Sequence, residues 1–168
     1  MKDHVVVDVR VTVDASFHAA RTRLKILAEG TMLPRAAEMA YGEGTTGLAE
    51  SAGAWAGPTR LADVYLQDLT ETDDCAHIAL QWDAIAPDGK LFTVLLGDLM
   101  AIPAGDQITT LSLTGSYWPP PRPVGAWPDL AAVRCYPTAV IGSFLDSVAR
   151  GLADPAGTPG PSGHSPVP

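Results

Sequence analysis

Among the side chains of this sequence that could do chemistry, Asp98 is the sharpest, because it alternates with Val94, Leu96 and Met100. Alternate residues of a strand share one face, so a carboxyl group here would project from an apolar surface. Desolvation would raise its pKa and suit it to hydrogen-bond a ligand or to act as general acid or base. The plainer reading turns Asp98 outward through a bulge, or pairs it with an arginine such as Arg134, and it carries the greater weight. Tyr117 could supply a phenolic donor, although a tyrosine at the end of a strand more often anchors a corner through a backbone hydrogen bond. His4, His18, His77 and His164 are dispersed without ligand spacing, so no metal site is expected. Cys75 and Cys135 lack CxxC spacing and are expected to be reduced, partly buried thiols of a cytosolic protein. The run Gly42-Glu43-Gly44-Thr45-Thr46-Gly47 matches G-x-G-x-x-G, but it follows a helical stretch and leads into small polar residues. A flexible turn is expected there rather than a nucleotide site. No G-x-S-x-G elbow or other nucleophile signature occurs, and no cofactor is implied.

These side chains must be positioned by strands and a closing helix. Val5, Val7, Val9, Val11 and Val13 alternate with polar neighbours and predict a first strand. Asp14 is placed to cap a short helix reaching about Lys25, and a second helix is expected over Met32–Tyr41, with Pro34 in its first turn. Residues 42–58 are rich in Gly, Ala, Ser and Thr and are read as a flexible connection, with a short strand near Thr46–Ser51 as an option. Four strands follow, Thr59–Thr70, Cys75–Ala86, Leu91–Ile102 and Gln107–Tyr117, separated by turn-forming residues in a meander of hairpins. The acidic side chains Asp63, Asp68, Glu71, Asp73 and Asp74 read as a solvated strand end and loop. After the Pro-rich corner at Trp118–Pro123, Ile141, Phe144, Leu145, Val148 and Leu152 form the apolar stripe of a helix within Asp129–Leu152. Pro137 should kink that helix or mark where it restarts.

Register follows from the turns. Pro87-Asp88-Gly89 suits a type I turn closed by a left-handed glycine, which pairs Ala86 with Lys90. This sets Trp82 opposite Val94, Leu80 opposite Leu96, and Ile78 opposite Asp98, and burial favours it over a two-residue loop, which would put Asp83 and Gln81 beside Val94 and Leu96. A loop at Ala104-Gly105 then aligns Leu96 with Leu113 and Asp98 with Leu111. The expected concave face is Ile78, Leu80, Trp82, Phe92, Val94, Leu96, Asp98, Met100, Leu111, Leu113 and Tyr117. His77 should point the other way, with Thr110, Ser112, Thr114 and Ser116 on the solvated surface.

Composition narrows the function classes. At 168 residues, with 46% apolar and 18% charged side chains, residues 1–153 are expected to form one domain. The Pro/Gly/Ser-rich stretch 154–168 reads as a disordered tail. A net charge of −8 and a pI near 4.7 disfavour nucleic acid and anionic membrane surfaces. No signal peptide or membrane-spanning run is read, so a cytoplasmic location is expected, and a homodimer stays open.

Val11-Thr12-Val13-Asp14-Ala15, the meander, the run from Thr109 to Pro120 (Thr109, Leu111, Leu113, Gly115, Tyr117, Pro119, Pro120), and the Phe144-Leu145-x-x-Val148-Ala149 helix together resemble the START-like, or polyketide cyclase (SRPBCC), superfamily, in particular bacterial members of unassigned function. The resemblance spans about residues 4 to 153. It implies an α+β helix-grip fold in which a curved antiparallel sheet wraps around a long C-terminal helix. It also implies an interior that holds a hydrophobic or aromatic small molecule, lipid-, polyketide- or quinone-like. Ile141, Phe144 and Leu145 would join the concave face as ligand contacts. A cyclase/aromatase using the same cavity, with Asp98 moving the proton, is the alternative; a protein-interaction module without an open cavity is another.

Overall fold

The computed structural model describes residues 4–52, 60–85, 89–118 and 130–153; for 44–52, 60 and 130–136 it describes the backbone alone. The order of elements is β1 (Val5–Val13), α1 (Phe17–Glu29), α2 (Met32–Ala52), β2 (Arg60–Leu66), β3 (Thr70–Thr72), β4 (Cys75–Ile85), β5 (Leu91–Gly105), β6 (Ile108–Tyr117) and α3 (Leu130–Ala153). The strands form one six-stranded antiparallel sheet in the order β1-β6-β5-β4-β2, with β3 also pairing β4. The C-terminal helix α3 packs on β1 and β6 and against α1 and α2, so one face of the sheet is covered by helices. This is the helix-grip α+β architecture expected from the sequence.

Several elements depart from the expected boundaries. The cap of α1 is Ser16, whose hydroxyl accepts from the Ala19 amide at 3.2 Å; Asp14 lies in the bend before it. Helix α1 continues past Lys25 to Glu29. Helix α2 does not stop at Tyr41 but runs to Ala52, so Gly42–Gly47 is helical rather than a turn or phosphate loop. Packing of α2 on α3 and β2 outweighs the poor helix propensity of its glycines. The strand expected over Thr59–Thr70 is two pieces, β2 and β3, and β5 extends to Gly105. Pro137 sits buried inside a helix assigned without a break. The corner beyond Trp118 and the tail after Ala153 fall outside the described residues.

The bend of the sheet has a local cause. Gly97 on β5 faces Gly115 on β6 across the ladder. A Cβ built on Gly115 would lie 2.3 Å from the Leu96 carbonyl oxygen and 2.5 Å from Gly97 Cα; one on Gly97 would lie 2.8 Å from the Thr114 carbonyl. Only two glycines let the strands approach this closely and bend around the helices. Elsewhere the ends are tied down. Thr109 Oγ1 donates to the Ala15 carbonyl at 2.9 Å, joining β6 to the β1–α1 turn, and Arg23 donates to the Leu152 carbonyl near the C-terminus of α3.

Candidate functional site

The covered face of the sheet gathers most of the expected lining. Ile78, Leu80, Trp82, Val94, Leu111, Leu113 and Tyr117 are buried there, and Ile141, Phe144 and Leu145 meet them from α3. Phe92 is half-buried against the same cluster. His77 alternates to the opposite side of β4 from Ile78, as expected.

Leu96, Asp98 and Met100 are corrections. Pro87-Asp88 and the expected Ala86–Lys90 pair lie outside the described residues, but Gly89 has φ +85°, and Ala84 pairs with Phe92 and Asp83 with Thr93. The next pair, however, is Trp82 with Leu95, not Val94. One extra residue on β5 has been taken up in a β-bulge, and everything beyond it changes face. Leu80 therefore meets Gly97 and Ile78 meets Leu99. On the other side the expected loop at Ala104-Gly105 is also corrected: the turn is Asp106-Gln107, with a second register shift between Pro103 and Gly105, so that Leu99 meets Leu113 and Ala101 meets Leu111. Leu96 turns outward at 45% exposure, and Met100 shares an outer row with His77, Ser112 and Arg10. Asp98 is half-exposed and hydrogen-bonded to His77, with Nε2 and Oδ1 2.7 Å apart. The extra carbonyl is satisfied, since the Trp118 amide donates to Val94 O at 2.8 Å.

The residues that sequence reasoning missed are Leu95, Leu99 and Ala101, all fully buried. A signal for them exists. The face Leu95, Gly97, Leu99, Ala101 carries no charge, whereas the face Leu96, Asp98, Met100 carries a carboxylate. Burying that carboxylate was the costlier alternative.

The polar content of the interior is small. Among the described residues no carboxylate, amine or imidazole is buried; Thr109 is the buried polar side chain on the covered face, beside Tyr41, Tyr117 and Trp82, while Ser112 is buried on the opposite face. The cyclase alternative thus loses the residue it relied on, because Asp98 is on the far side of the sheet. No three His, Cys, Asp or Glu side chains converge among the described residues. Trp82 is different in kind. It is fully buried, its ring meets Phe144 edge-on at 5.1 Å and 80°, and its Nε1–H has no hydrogen-bond partner. Leu95 separates it from Tyr117 in one row across β4, β5 and β6, so the two backbones lie about 10 Å apart.

No protein-family model matches the sequence, and no curated protein is significantly similar to it. Solved structures with a similar course of chain include the Zhui aromatase/cyclase from Streptomyces sp. R1128, 13% identical over 89% of this chain and 94% of that one, with a TM-score of 0.41. A START superfamily protein from Mycobacterium smegmatis is 12% identical over 90% and 95%, with a TM-score of 0.33. The di-domain ARO/CYC StfQ from the steffimycin biosynthetic pathway is 13% identical over 92% of this chain but 53% of its own, with a TM-score of 0.38. The chain spans about half of that di-domain protein. Likenesses of this size assign no activity and no residue role. The sheet order and the place of α3 carry the fold by themselves. Among the described residues no helix is long and apolar enough to cross a membrane.

Proposed function

We propose that this chain binds a mainly apolar, ring-bearing small molecule, lipid-, polyketide- or quinone-like, between the covered face of the sheet and α3. The observation that carries the reading is the unpaired indole N–H of Trp82. A buried donor without an acceptor costs about 1–3 kcal/mol, and most such groups in folded proteins find a partner. A carbonyl, ether or hydroxyl oxygen on the ligand would satisfy it, while Leu80, Val94, Leu113, Ile141 and Leu145 supply apolar contact. Phe144, edge-on to Trp82, is the side chain whose rotation would make room. Burial of apolar area at about 25 cal/mol per Å² provides the driving force, and the indole hydrogen bond provides orientation.

A second reading, an interaction module with a filled interior, draws on the complete burial of the large inner side chains. Native mass spectrometry of protein purified from its own host separates the two. A co-purifying small molecule that is released on denaturation supports the binder. A mass equal to the polypeptide alone, with no change in melting temperature across a panel of quinones and polyketide-like aromatics, abandons it.

A further inference from the structure

The bulge that takes Asp98 out of the interior builds something on the other side. The outward row next to the bulge runs Tyr65, Gln81, Leu96 across β2, β4 and β5, and the following row runs Gln67, Ala79, Asp98. Ala79 is the small member at the centre, and larger side chains stand around it. The result is a hollow of about 330 Å³, lined by these six side chains together with the chain at Leu80 and Gly97. That volume lies at the lower end of the range of small-molecule sites. Each wall offers a different contact. Tyr65 is half-exposed and presents an aromatic ring, Leu96 presents apolar surface, Gln67 and Gln81 carry amides, and Asp98 carries the carboxylate.

We propose that this hollow is a binding site, separate from the interior, for a small organic ammonium with an aromatic or apolar body. The cationic nitrogen would sit by Asp98, and the body would lie along Tyr65 and Leu96 over Ala79. An ammonium is favoured by the carboxylate and by the face of an aromatic ring, and the net charge of −8 attracts a cation and repels an anion. His77 holds Asp98 through the 2.7 Å contact, which fixes the carboxylate at the edge of the hollow. The Tyr65 phenol is uncharged at neutral pH as any ordinary phenol is, and Asp63 shifts its pKa further up from 10.0. The proposal does not depend on the interior ligand.

The test is an amide-resolved NMR titration of the full chain with phenethylamine, set against phenylacetate, an anion of similar shape. The expected result is saturable shifts for phenethylamine, centred on Ala79, Leu96 and Asp98, with phenylacetate at least about tenfold weaker. Asp98→Asn should weaken phenethylamine about fivefold. Ala79→Leu, which fills the hollow from its floor, should abolish saturation. If Ala79→Leu does not fold, Tyr65→Ala takes its place and should also remove binding. Equal binding of phenylacetate overturns the proposal, as do shifts confined to interior residues or none at all. So does a concentration-dependent dimer, seen by sedimentation, that protects the same amides, because a second copy would then fill the hollow.

Discussion

The two faces of β5 differ more than their compositions suggest. On the covered face Leu95, Leu99 and Ala101 are sealed against Trp82, Ile78, Leu111 and Leu113, and among the described residues the buried side-chain group in want of a partner is an indole N–H. On the open face Leu96, Asp98 and Met100 stand in solvent-accessible rows, and the carboxylate already has its histidine. A single inserted residue separates these outcomes. Chemistry that would have been costly inside the sheet is accommodated outside, and the interior is left apolar with a weak, directional donor. The contrast shows that an ionisable side chain in an apolar run is evidence about register before it is evidence about catalysis.

The contrast can be broken or sharpened by substitution. The largest effect is expected at the bend on which both faces depend. Gly115→Val should destabilise by about 3 kcal/mol or more in urea unfolding, since the new side chain meets backbone atoms that cannot move independently. Next comes the pair that straddles the bulge. Leu99→Ala should cost about 2–5 kcal/mol, whereas Leu96→Ala should cost less than about 1 kcal/mol. Equal losses would mean that the bulge is misplaced. Within the interior, Trp82→Phe keeps an apolar ring but removes the donor, and should weaken a captured acceptor-bearing ligand by about fivefold, close to 1 kcal/mol. On the open face, Asp98→Asn should change stability by less than about 1 kcal/mol, as befits an exposed pair, where a buried carboxylate would respond strongly.

The smallest effect is a titration. The Tyr65 phenol is held above 10.0, first by the charge of Asp63, then by partial desolvation, a hydrogen bond to Asp63 and the charge of Asp83. The folded state therefore disfavours the phenolate. Any contribution to stability is present below the unfolded pKa and is lost as pH rises through the folded one, a window that lies above pH 10. Asp63→Asn should move the phenolate absorbance of this residue to lower pH. An unchanged curve would detach Tyr65 from Asp63.

Much of the frame was legible in the residues, and the site less so. The valines of β1, the stripe Ile141, Phe144, Leu145, Val148 and Leu152 on α3, and the left-handed Gly89 each express a local period or a local backbone requirement. Leu111 and Leu113 were placed on the correct face, because the serines and threonines of β6 mark the other one. The continuation of α2 through its glycines was not legible, since propensity opposes it and only contact with α3 and β2 supports it. The break between β2 and β3 is likewise a matter of how the chain pairs with β4.

By itself, then, the sequence determined a chain of alternating strands closed by an amphipathic helix, because side-chain periods of two and of about 3.6 residues are written in local order. Tertiary structure alone decided where along β5 the extra residue is taken up. Val94-Leu95-Leu96 is apolar in every register, so no local preference places the extra residue. The choice falls to contacts distant in sequence: Leu99 with Leu113, Gly97 with Gly115, and Trp118 with the carbonyl of Val94. Together they bury leucines and leave Asp98 in water beside His77.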